Sequence, residues 1–201
     1  MGGDVGTTPL KNYVLFSIFV AGMTTLAAEV SAFRLLGNIY GASNIVWASI
    51  IGLILLYLAA GYFLGGRWAD RSANQITFFQ IMAWAAFTVG LIPTLSRPVL
   101  LGAARAVVDL NGPVVAGAFL GTMLLFSVPV TLLGCISPFA IRLLVRETTK
   151  SGGISGRVYA ISTMGSLLGS FMPVLIMIPL LGTRLTYLAF SASLTLVALI
   201  G

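Results

Sequence analysis

Apolar residues run along this chain in six long blocks, separated by short segments that hold nearly all the charge. The blocks lie near Tyr13–Leu36, Ile45–Gly65, Ile76–Leu95, Val114–Val145, Val158–Leu181 and Leu185–Ile200. Each is about as long as the roughly 20 helical residues that cross a bilayer. None alternates with period two, so helices are expected rather than the strands of a barrel. The pattern predicts an all-α, polytopic membrane protein with six transmembrane helices. The first block is not read as a cleaved leader, because its apolar core is long and Glu29 and Arg34 continue the helix.

Composition agrees and excludes much else. Of 201 residues, 58% are hydrophobic and 8% are charged, against about 25% charged in soluble domains. Mean hydropathy is +1.05. A soluble globule of this length needs a polar skin that this chain lacks. A water-soluble enzyme and a nucleic-acid-binding domain are both excluded, and the net charge of +6 is read as loop charge that orients helices. There is no histidine and one cysteine, Cys135, so no metal site, no disulfide and no cofactor are expected.

Charge placement orients the helices. With the N-terminus in the cytoplasm, Lys11, Arg67, Arg71, Arg142, Arg146, Lys150 and Arg157 fall inside, and Arg34, Arg97, Arg105 and Arg184 outside. The excess of basic residues on one side predicts cytoplasmic termini. The expected location is the bacterial cytoplasmic (inner) membrane. Residues 97–111 mix apolar positions with Arg97, Arg105 and Asp109, and are read as a separate interfacial helix with an Arg105–Asp109 pair. Pro129 and Pro138 in the fourth block, and Pro173 and Pro179 in the fifth, are expected to kink their helices.

The two halves of the chain are alike. Thr25–Phe33 aligns without gaps on Thr131–Phe139, and each is followed by Arg-Leu-Leu, at Arg34 and Arg142. Val46-Trp47-Ala48 matches Val158-Tyr159-Ala160, and Leu64–Arg67 matches Leu181–Arg184, in the same order. Three helices per repeat is an odd number, so the second copy must be inverted. The expectation is one membrane domain over 1–201, with repeat one at 13–95, the interfacial helix at 97–111 and repeat two at 113–201. Such 3+3 inverted repeats build the halves of major-facilitator-type transporters.

Few residues can carry chemistry. Glu29 is the acidic residue inside a span. A carboxylate in lipid is costly, so it is expected to face the bundle interior, paired or protonated, as a substrate or proton site or as an interhelical tie. Arg34, five residues on, points about 140° away and is a poor partner. Gly66, Asp70 and Arg71 match part of the loop motif between helices two and three of major-facilitator transporters. They are read as a cytoplasmic latch, with Asp70 capping backbone donors and pairing with a basic neighbour. The motif's glycine and basic pair are replaced by Ala73, Asn74 and Gln75. Gly61 with Gly65, Gly117 with Gly121, and Gly165 with Gly169 are spaced for close helix crossings. Gly152–Gly156 is read as a flexible cytoplasmic connection, and Cys135 as packing.

Taken together, Ala28-Glu29, Arg34-Leu35-Leu36, Tyr40–Ser43, Gly61-Tyr62, Leu64–Arg67 with Asp70-Arg71, Ser137-Pro138-Phe139, Gly156–Ala160, Gly165–Gly169 and Pro179–Arg184 resemble the membrane domain of bacterial spermidine synthase-like proteins. The resemblance spans nearly the whole chain. It implies several helices ahead of a soluble aminopropyltransferase domain, with polyamine chemistry. The cofactor loop and acidic residues of that catalytic domain have no counterpart here, so aminopropyl transfer by these residues is not expected. The apolar end at Ile200-Gly201 suggests a continuation. Three functions follow as expectations: a transporter-like unit for a small, polyamine-like solute; a non-catalytic scaffold or accessory subunit; or the anchor of such an enzyme. The expected partners are the lipid bilayer and either further copies of the chain or other membrane subunits.

Overall fold

The computed structural model describes residues 7–145 and 151–201, and every regular element in them is helical. In order these are α1 (Thr7–Tyr40), α2 (Asn44–Arg71), α3 (Gln75–Asp109), α4 (Val114–Leu144), α5 (Ser151–Met172), a π-helical turn (Pro173–Met177) and α6 (Ile178–Ile200). Five helical runs are long and apolar enough to cross a membrane: Pro9–Tyr40, Asn44–Arg71, Gln75–Asp109, Val114–Leu144 and Ser151–Ile200. The protein is an all-helical protein of membrane-spanning character.

Local chemistry sets the helix ends. The Ser43 hydroxyl accepts the Val46 N–H at 3.3 Å and starts α2. The Asn74 side chain accepts the Ile76 N–H at 3.1 Å and starts α3. Gly41, at φ +81°, turns the chain after α1, a left-handed conformation that glycine adopts without strain.

The last run, Ser151–Ile200, has 50 residues. Straight, it would be about 75 Å long, more than twice a bilayer's hydrocarbon core of about 30 Å. It is not straight. Pro173 opens a π turn, in which the Ile178 N–H donates to the Pro173 carbonyl five residues back. At Gly182 the backbone takes φ 80°, ψ 165°, a region open essentially to glycine alone.

Side-chain contacts give the helix directions. The Ser166 hydroxyl donates to the Gly22 carbonyl, and Gly169 lies on Met23, so α5 runs with α1. Tyr187 donates to the Ala28 carbonyl and Tyr13 to that of Val197, so α6 runs against α1. Gly61 sits on Thr131, Gly65 on Cys135, and Asp70 beside Arg142, so α2 runs with α4. Leu100 meets Gly121 and Ala104 meets Gly117, so α3 runs against α4. These directions bring Lys11, Arg67, Asp70, Arg71, Arg142 and Arg157 to one end of the bundle. Arg34, Arg97, Arg105, Asp109 and Arg184 lie at the other.

The core lies where α1, α3, α4 and α6 meet, with Phe78, Phe126, Phe139, Ile136 and Tyr187 almost completely buried. Polar side chains inside it are satisfied mainly by backbone. Thr24 donates to Val20, Thr122 to Ala118 and Ser191 to Ala86, as groups must where water is absent. Ser31 is the exception: its buried hydroxyl has no partner.

Three expectations need correction. Residues 97–111 do not form a separate helix, because α3 continues unbroken through Pro93 and Pro98 to Asp109. Ser96, Leu100, Ala103 and Val107 are buried in the same stripe as the span before them, so packing carries the helix on. Arg105 and Asp109 make no ion pair. Gly152–Gly156 is not a loop but the first turns of α5. The connection ahead of α5, with Arg146 and Lys150, lies outside the described residues.

The glycine seams give a test. A methyl on Gly65 would stand 2.6 Å from the Cys135 Cα, which is backbone and cannot swing away. A methyl on Gly52 meets nothing within 4 Å. Gly65→Ala should lower stability by about 1–3 kcal/mol through overpacking. Gly52→Ala should raise it by about 0.5–1 kcal/mol through helix propensity. Denaturant unfolding followed by helical circular dichroism in detergent separates the two, and equal effects would refute the seam.

Candidate functional site

Glu29 lies on α1, one residue beyond the carbonyl that receives the Tyr187 hydroxyl at 2.8 Å. Tyr187 is 1% exposed, so this bond pins the turn of α1 that carries the carboxylate. Glu29 itself is half-buried. It has no ion pair or hydrogen bond to any described residue, and Arg34 is exposed and turned away. Tyr62 of α2 sits within electrostatic range of both Glu29 and Tyr159 of α5. One face of α1 thus offers a carboxylate with no partner among the described residues.

The residues expected to form a cytoplasmic latch, Gly66, Asp70 and Arg71, are arranged differently from that expectation. Asp70 is in the last turn of α2 and caps no helix, because Asn74 starts α3. Its partner is Arg142, in the last turn of α4, with Nε 3.4 Å from Asp70 Oδ1. Arg71 makes no ion pair among the described residues. Gly66 has only Pro138 Cβ near it, at 4.0 Å, so the close approach belongs to Gly61 and Gly65. A signal for the Arg142 partner was in the sequence: successive spans alternate in direction, so α2 and α4 run parallel and end on the same side.

The three glycine pairs do two different jobs. Gly61 and Gly65 meet the backbone of α4 at Thr131, Gly134 and Cys135. Gly165 and Gly169 meet the backbone of α1 at Phe19 and Met23. Gly117 and Gly121 instead make room for the Tyr40 ring, whose hydroxyl donates to the Leu100 carbonyl at 2.6 Å. Cys135 is buried against Gly65. Among the described residues no cluster of metal-ligating side chains occurs.

Searches against known protein families, curated proteins and solved structures found no match to this chain.

The Asp70–Arg142 pair is half to three-quarters exposed. In a double-mutant cycle with Asp70→Asn and Arg142→Gln, its coupling should be below about 1 kcal/mol. It should shrink further at molar salt. A larger, salt-insensitive coupling would mean that the pair is desolvated in the membrane.

Proposed function

We propose that this chain is a six-helix, transporter-like membrane unit, made of two inverted three-helix repeats, that binds or moves a small organic cation of the polyamine type. The helix pairing supports the repeat. Exchanging α1 with α4, α2 with α5 and α3 with α6 carries the α2–α4 pairing onto α5–α1 and α3–α4 onto α6–α1. It carries α1–α2 onto α4–α5 and leaves α1–α4 and α3–α6 on themselves. The contacts of α1 with α3 and with the π-helical turn lack counterparts. The reversal at Gly182 supplies the sixth crossing in this reading, and the basic excess at the Lys11 end argues for cytoplasmic termini. The likeness to spermidine synthase-like membrane domains supports the same bacterial inner-membrane setting.

The observation that carries the solute reading is Glu29. A carboxylate left without a protein partner inside a membrane bundle is costly unless a cation or proton meets it. The Tyr62 phenol of α2 lies within electrostatic range of this carboxylate, and aromatic rings attract organic cations. A single carboxylate holds a polycation weakly, and six helices are half of the usual twelve, so the working form contains a second copy or another membrane subunit.

A scaffold or accessory role is the second reading. It is favoured by the broad apolar faces of α2 and α5, with Leu55, Leu56, Phe63, Leu167, Leu168 and Phe171 exposed. The anchor reading rests on the resemblance alone.

The test is uptake of labelled spermidine into vesicles containing the purified protein, beside mild purification from the native membrane. Glu29→Gln should cut saturable uptake by about tenfold or more, as expected for loss of a charge-assisted contact, with the amount of inserted protein unchanged. Uptake insensitive to Glu29→Gln would overturn the solute site. Stable foreign subunits in the purified material would favour the scaffold.

A further inference from the structure

We infer that the Lys11 end of the bundle carries a binding site for a phosphoryl group, of the kind an anionic lipid headgroup presents. A pocket of about 240 Å³ opens there, lined by Lys11, Leu15, Leu144, Gly153, Ile154 and Arg157. Three helices contribute: the start of α1, the last turn of α4 and the first turns of α5. The site is independent of Glu29 and of the solute reading.

Among the described residues its charge is one-sided. Lys11 and Arg157 are both exposed, and neither forms an ion pair among the described residues. No acidic side chain is among the lining residues. Two like charges brought to one cavity repel, and an anion between them reverses the sign of that energy. The two cations suit phosphate differently: guanidinium presents a planar fork, and ammonium a compact charge.

The pocket is also amphipathic, in the order a lipid requires. Leu15 lies one turn along α1 from Lys11, towards the centre of the helix, and is buried. Leu144 and Ile154 are half-buried beside it. A phosphoryl head can meet Lys11 and Arg157 while the glycerol and upper acyl carbons lie on the three apolar side chains. Gly152 and Gly153 have nothing within 4 Å of where a side chain would start, so the first turn of α5 is open to the ligand. Basic pockets between membrane helices bind anionic headgroups in this way.

The shared chemistry is the phosphoryl group; a soluble phosphate compound would offer it too. Full-length protein in mild detergent should retain phosphatidylglycerol over phosphatidylcholine in native mass spectra. The double variant Lys11→Ala with Arg157→Ala should lose that retention by about tenfold or more, the combined effect of two basic residues at a surface. The swapped variant Lys11→Arg with Arg157→Lys should keep it. Millimolar inorganic phosphate tests the other source: a rise in thermal midpoint that needs the same two residues, without preference among lipids, assigns the site to a soluble phosphate. Equal retention of both lipids with no response to phosphate overturns the site. So does unchanged retention in the folded double-alanine variant, or complete loss in the charge-retaining swap.

Discussion

Close backbone contact at glycine is the constraint on which this bundle depends. Between helices in lipid there is no hydrophobic drive, because the tails are as apolar as the side chains. Association must come from van der Waals contact and from hydrogen bonds to carbonyls. Here two seams supply the contact, α2 on α4 through Gly61 and Gly65, and α5 on α1 through Gly165 and Gly169. Hydroxyls then fasten helices to carbonyls across the bundle, from Tyr13, Tyr40, Ser166, Tyr187 and Ser191. Such bonds cost no carbonyl its place in the helix, since each oxygen has two lone pairs. The two seams leave much of α2 and α5 facing outward.

Glu29 gains its meaning from that framework. The α1 helix is gripped by α5 along one side and by α6 along another, and Tyr187 fixes the turn just before the carboxylate. A charged group held on a rigid, well-packed helix is placed more definitely than one on a loop. The Asp70–Arg142 pair marks one end of the bundle. It ties α2 to α4 at the Lys11 end. At the far end Arg34 has no ion-pair partner among the described residues. At that end the Tyr40 hydroxyl, bonded to the Leu100 carbonyl, ties α1 to α3.

The helices were legible because period and length are local properties: the block at Val114–Val145 is α4 to within a residue. Boundaries that depend on packing were not. Arg97, Arg105 and Asp109 suggested a break, yet Leu100 and Val107 keep α3 going because they are buried against α4 and its neighbours. The glycines at 152, 153 and 156 suggested a loop, although helical hydrogen bonding extends through them. Small-residue spacing located the seams but not their partners. Gly117 and Gly121 accept a tyrosine ring rather than a backbone, and no spacing rule distinguishes the two. Asp70 could be singled out from its motif, whereas Arg142 follows only from the parallel course of α2 and α4.

The grip of α5 on α1 also sets an order of events at birth. Ser166 reaches Gly22 across 144 residues of chain. At about 5–20 residues per second of synthesis, that partner arrives roughly 7–30 s after α1 leaves the ribosome. Until then the α1 face at Phe19, Gly22 and Met23 has only its slight contacts with α2 and α3, and later α4, to hold it. The first helix inserted is thus among the last to be locked. A nascent chain stalled before α5 would leave that face uncovered to any neighbouring helix in the membrane.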